Sequence, residues 1–252
     1  PPIRPVMILK GSDYEMGFQY GQQRVEIFGP YNTAYFYRHF KNRLTDKDKQ
    51  ILKHYENQIE KQTPWIIDFM RGIVDGSSNK GISISYQEVL AYFVREIKER
   101  IYDEKNNDCS GLVVWGKATK DGSLLFSGSG DHEMHPFETI LIFMPNTGNN
   151  FLLSTDTGAG YHPGMNNKGV VYAHHGSGPY DVNDNSFKNN KGIYQIPTSF
   201  KETYGIPANF ATMNTLRFAN NAEEALKMQL SYNCITKRAM GLWADIYGSA
   251  FD

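Results

Sequence analysis

The spacing of apolar residues changes character at Cys109, and that change limits the folds open to this chain. Before it, apolar residues recur at helical intervals: Ile51, Tyr55 and Ile59, then Trp65, Phe69 and Ile73, then Val89, Phe93, Ile97 and Ile101. After it come the short runs Gly111–Trp115, Leu124–Ser127, Thr139–Met144 and Phe151–Ser154. Lys120-Asp121-Gly122 and Asn146-Thr147-Gly148-Asn149 divide them as hairpin-type turns. Gly169–Ala173 is a further strand after the Asn166-Asn167-Lys168-Gly169 turn. A helix capped by Asn220 with Glu223 then carries Ala222, Ala225, Leu226 and Leu230, and Leu242–Asp245 begins another strand. Helices, then antiparallel strands, then helices predict an α+β layered fold.

The first hundred residues read as helical. Ser12-Asp13-Tyr14-Glu15 and Ser85-Tyr86-Gln87-Glu88 have the spacing of capping boxes, in which each serine and glutamate satisfy amide donors at a helix start. Gly17 and Gly21 fall four apart on one helical face and suit a close packing contact. Pro64 breaks the helical pattern, and Gly76–Gly81 reads as a turn or loop. Asp181–Lys191, rich in Asn and Asp, reads as a polar loop.

With 252 residues the chain can form one large domain or two small ones. The natural division is a helical region over 1–108 and a strand-rich region over 109–252. Lys and Arg total 26 against 27 Asp and Glu, without a basic stripe, which argues against a nucleic-acid partner. No apolar run is long enough to span a bilayer, so no membrane partner is expected. Pro1-Pro2-Ile3-Arg4-Pro5 is not a signal peptide, which favours the cytoplasm weakly and leaves the compartment open. The two cysteines, Cys109 and Cys234, make no disulfide framework.

Cys109 sits where a charged stretch, Asp103 to Asp108, gives way to an apolar strand. Scission of the Asp108–Cys109 bond would leave thiol and α-amine on one residue. An α-amine titrates near about 8 and can act as the thiol's base. The plain alternative is a free cysteine used as a small apolar residue. A hairpin through the Lys120-Asp121-Gly122 turn would return the end of its second strand beside Cys109, bringing Asp131 and His132 near. Asp131 would then orient the amine, or His132 would form a thiolate–imidazolium pair. His132, His135, His162, His174 and His175 also cluster, but their spacing does not fit a zinc site, and no metal or other cofactor is expected. His174-His175 ends an apolar strand, so one ring faces inward, as a satisfied core residue, and the other outward.

These residues resemble the acyl-coenzyme A:6-aminopenicillanic acid acyltransferase-like family of cysteine N-terminal-nucleophile (Ntn) hydrolases. Cys109-Ser110-Gly111 with Trp115-Gly116-Lys117-Ala118-Thr119-Lys120-Asp121-Gly122 is similar to its processing site and first hairpin. Gly11-Ser12-Asp13-Tyr14-Glu15-Met16-Gly17-Phe18-Gln19-Tyr20-Gly21 resembles its opening helix. Gly164-Met165-Asn166-Asn167-Lys168-Gly169-Val170 resembles its glycine-rich turn, and Asn221–Leu226 and Trp243–Asp245 resemble later landmarks.

The resemblance implies a four-layer αββα sandwich. It also implies autoproteolysis between Asp108 and Cys109, with acyl transfer from a small-molecule amide or thioester through a Cys109 acyl-enzyme. Cys109, Asp131 and His175 are then the catalytic candidates, the last near the oxyanion. Ser129, His132, Tyr161 and Asn166 are the substrate-binding candidates, and a homo-oligomer is compatible with the pattern. The family's Gly-Arg-Asn-x-Asp-Trp stretch is here Ser127-Gly128-Ser129-Gly130-Asp131-His132, which takes a cation and an amide out of the pocket. Relatives continue beyond the region of Asp245, so a truncated, cleaved or smaller chain is expected, and the uncut Asp108–Cys109 bond suggests a precursor. The rival is a non-catalytic binding or sensor protein on the same scaffold.

Overall fold

The computed structural model describes residues 4–41, 43–94, 97, 109–130, 138–155, 163–174, 205–232 and 241–251; of residues 35, 36, 38, 39, 41, 109, 129 and 130 it describes the backbone alone. Strand β1 (Val6–Gly11) leads into the described helices α1 (Asp13–Lys41, broken by a non-helical Gly29 before Pro30), α2 (Asp46–Gln62), α3 (Trp65–Asn79) and α4 (Tyr86–Phe93). Strands β2 (Cys109–Gly116), β3 (Gly122–Gly130), β4 (Thr139–Pro145), β5 (Phe151–Thr155), β6 (Gly164–Asn166) and β7 (Val170–His174) follow. Helices α5 (Ala208–Phe218) and α6 (Ala222–Ser231) precede β8 (Gly241–Asp245) and β9 (Ala250–Phe251).

Both capping boxes form. Glu15 Oε2 accepts the Ser12 N–H at 2.7 Å and the Ser12 hydroxyl at 2.8 Å, which hold the Glu15 carboxyl below its ordinary range, while Ser12 Oγ accepts the Glu15 N–H at 3.3 Å. Ser85 and Glu88 make the same exchange at 2.6 and 3.2 Å. A third box, Thr45 with Asp48, starts α2.

The glycine pair in α1 meets a matching pair in α3. A Cβ on Gly17 would fall on the Phe69 carbonyl oxygen, and one on Gly21 would lie 2.5 Å from the Ile73 oxygen. In return, Gly72 and Gly76 face the carbonyls of Tyr14 and Phe18. The two backbones therefore touch, and only hydrogen fits between them.

The helices pack on one face of a sheet that, among the described residues, has seven strands ordered β1-β4-β5-β6-β7-β8-β9, antiparallel except for the parallel pair β1–β4. Phe143 on β4 stacks on Phe151 of β5, centroids 4.5 Å apart, and contacts Phe69 of α3 at 5.7 Å. Hairpin β2–β3 packs over β7 and β8 on the other face. Beneath it Val171 and Ala173, which alternate away from the helices, are 1% and 0% exposed, whereas Val6 and Ile8 beyond it are 48% and 53% exposed. The fold is thus mixed, with a mostly antiparallel sheet between a helical layer and a hairpin. One buried cluster runs from Met7 to Trp243, so residues on both sides of position 108 share a core.

Strand β1 and helix α5 are departures from the sequence reading. Val6 to Leu9 is apolar on both faces and shows no alternation, yet Met7 and Leu9 are fully buried against the helices. Helix α5 buries Asn209, Thr212, Asn214, Thr215 and Arg217, and this polar set hides its helical period. Gly76–Asn79 completes the last turn of α3 rather than a loop. The cap of α6 is Asn221, one residue later than expected, accepting the Glu224 N–H at 2.8 Å.

The outer edge of β1 is also closed. Gln19 of α1 donates to the Lys10 carbonyl at 2.7 Å and accepts the Lys10 N–H at 2.8 Å, and Gln23 donates to the Ile8 carbonyl at 2.9 Å. Two glutamines stand in for a neighbouring strand.

The glycine contact predicts an inverted mutational sign. Glycine to alanine inside a helix ordinarily stabilises by about 1 kcal/mol. Gly17→Ala and Gly76→Ala should instead destabilise, by about 2 kcal/mol or more, because the new methyl meets backbone. Urea unfolding monitored by circular dichroism reads the sign directly.

Candidate functional site

Register decides what the hairpin brings together. In β2–β3 Cys109 pairs with Gly130, Ser110 with Ser129 and Gly111 with Gly128, while a bulge between Val114 and Gly116 absorbs the turn. The return of the second strand beside Cys109, expected from the turn sequence, is therefore present in the backbone. Asp131 is the residue after Gly130. Asp108, Asp131, His132, Tyr161 and His175 lie outside the described residues, and Cys109 and Ser129 are placed by backbone only.

Two contacts set the hairpin along the sheet. Near its turn, Trp115 Nε1 lies 3.2 Å from where a Cβ on Gly248 would stand, in the β8–β9 turn. Toward its open end, Gly128 packs on Pro163, just before β6. Because Val170 pairs with Asp245 and His174 with Gly241, these contacts put the Cys109 end of the hairpin at the His174 end of the sheet. His174 is 8% exposed, on the helix-facing side, with its Nδ1 hydrogen-bonded to Tyr172 Oη at 3.0 Å. It is a core histidine held by a phenol.

Asn166 is placed differently from a substrate contact. Its Nδ2 donates to the carbonyls of Leu216 and Ala219, both at 2.8 Å, closing the C-terminal turn of α5. Its Oδ1 accepts the N–H groups of Lys168 and Val170, both at 3.0 Å, which shapes the β6–β7 turn. An amide has two donor and two acceptor positions, and all are used inside the protein. The glycine-rich turn is thus a clamp between sheet and helix.

Asp245 has a similar task at the opposite helix end. Its Oδ2 accepts the Ala222 N–H at 2.7 Å at the start of α6, and its Oδ1 accepts the N–H groups of Tyr247 and Ser249 at 2.9 and 3.1 Å. A carboxylate there answers both the free amides and the positive end of the helix dipole. Beside it, hydrogen bonds from the Asn220 backbone and side chain lower the Glu224 carboxyl from its ordinary value.

No family model matches this chain, and no curated protein matches it. Among the described residues no group of three or more His, Cys, Asp and Glu side chains is arranged to hold a metal ion. No described helix is long and apolar enough to cross a membrane. Sequence reasoning overlooked Pro163, whose contact with Gly128 spans two sheet layers and has no local signature.

Asn166→Asp tests the clamp. It replaces two donors with an oxygen facing two carbonyls, and should lower unfolding free energy by about 2 kcal/mol or more. Unchanged stability in denaturant, with a weakened substrate affinity, would return Asn166 to the binding site.

Proposed function

We propose that this chain is a cysteine Ntn hydrolase or acyltransferase that cuts itself before Cys109 and then cleaves or transfers an acyl group from a small-molecule amide or thioester. The observation that supports the reading is the pairing of Cys109 with Gly130, which sets the start of β2 beside the strand leading into Asp131.

In maturation the Cys109 sulfur attacks the Asp108 carbonyl carbon and the peptide nitrogen leaves with the thiol proton, giving a thioester and the free Cys109 α-amine. Water hydrolyses the thioester, releasing the Asp108 carboxylate and the thiol. In turnover that amine takes the thiol proton, and the thiolate attacks the substrate carbonyl. The tetrahedral oxyanion is held by backbone donors and the His175 region, each donor contributing about 3 kcal/mol. The leaving amine or thiol departs with the proton, and water or an acceptor amine attacks the Cys109 thioester. In this reading Asp131 orients the amine, and Ser129, His132 and Tyr161 are the proposed substrate contacts. The four-layer αββα sandwich belongs to the same proposal.

Mass spectrometry of the purified protein is the first test. Two polypeptides divided before Cys109 support the enzyme, and a single uncut mass with no amidase activity supports a binding or sensor protein. Cys109→Ala should abolish scission and activity, whereas Cys234→Ala should leave both intact. Asp131→Asn should lower activity more than His132→Ala, since an N-terminal amine is a sufficient base. Full activity with Asp108 still attached would instead indicate a cysteine–histidine pair.

A further inference from the structure

We propose that Gly128 and Pro163 form a seat that positions Cys109, with the ring of Pro163 taking the space that a side chain at position 128 would fill. The proposal rests on the reading of Cys109 as the nucleophile and adds to it two positioning residues on different sheet layers.

A Cβ on Gly128 would stand 2.5 Å from Pro163 Cγ, 3.1 Å from Cδ and 3.8 Å from Cβ. A flexible side chain could swing aside, but a pyrrolidine ring cannot, because closure onto its own backbone nitrogen fixes it. The backbone of Pro163 is itself anchored. Its carbonyl accepts the Ser154 N–H of β5 at 3.0 Å, and the next residue, Gly164, pairs with Leu153 and Tyr172. Any bulk at position 128 therefore has to lift β3 rather than move β6.

The lift would be felt where the chemistry is proposed. Gly128 pairs with Gly111, and Cys109 pairs with Gly130 two residues further along both strands, about 7 Å away. At the other end Trp115 rests against Gly248, so the hairpin would pivot there and its displacement would be largest at Cys109. The glycine at 128 is thus explained by a neighbour 35 positions away along the chain (163 − 128), not by a turn.

The test is a rescue carried out in a Cys234→Ala background, so that Cys109 is the remaining thiol. Scission before Cys109 is followed by mass spectrometry, and the reactivity of the Cys109 thiol by its rate of alkylation with iodoacetamide. Gly128→Ala should slow scission by about a hundredfold, the cost of a displacement near 1 Å at a reacting group. Adding Pro163→Ala removes Cγ and Cδ but keeps Cβ, and should bring the rate back to within about threefold of the parent if the two sites couple through that contact. Ser127→Ala, on the exposed side of β3, should leave the rate unchanged.

A normal rate in Gly128→Ala, or a double variant no faster than the single one, overturns the proposal. If Gly128→Ala does not fold, recovery of folded, scission-competent protein in the double variant supports it, and failure of both overturns it. A parent protein that never cuts would remove the reading of Cys109 as a nucleophile. The seat would then be judged by alkylation alone: altered in Gly128→Ala and restored by Pro163→Ala, or not.

Discussion

The contact between α1 and α3 is the constraint on which the remaining packing depends. Two helices whose backbones touch at Gly17, Gly21, Gly72 and Gly76 have little freedom to slide or rotate, because each neighbouring carbonyl sits where a methyl group would be. Phe69 leaves this contact to meet Phe143 on the sheet, and α1 returns to β1 through Gln19 and Gln23. The helical layer and the first two strands of the sheet are thereby fixed relative to one another before the hairpin is considered.

Directed polar bonds join the rest of the sheet to the later helices. Asn149 and Asn166 close the last turn of α5, and Asp245 opens α6. Arg217, 2% exposed, binds Asp13 at 2.7 Å and Thr147 through two nitrogens at 3.0 Å, and lies 4.6 Å over the Trp65 ring. It links the start of α1, the β4–β5 turn and α3 from a position on α5. Removing Asp13 would cost more than the pair itself contributes, since the buried Arg217 charge would lose its counter-ion away from water. The polar residues that make α5 hard to recognise are the ones that hold it in place.

What the sequence disclosed and what it concealed divide by distance along the chain. The capping boxes of Ser12 and Ser85 were readable because both partners lie within one turn. The β2–β3 pairing was readable because the turn and both strands are contiguous. Strand β1 was concealed because it draws its partner β4 from more than a hundred positions away and has apolar residues on both faces. Asn166 is a substrate candidate only through the family resemblance of its turn; its bonds to Leu216 and Ala219 were concealed because no local pattern connects them to it. Three of the stretches that carry the family resemblance, around Gly17, Asn166 and Asp245, are accounted for by packing and capping. The catalytic part of the resemblance therefore depends on Cys109 and Asp131.

The glutamines along β1 also bear on what can join the large sheet at that side. A strand approaching that side would find the Lys10 and Ile8 peptide groups already engaged, and would have to displace Gln19 and Gln23 from α1 to gain the same bonds. For any polypeptide, joining the sheet at β1 is a competition with α1, and the helix holds the advantage of being covalently tethered to the strand it covers.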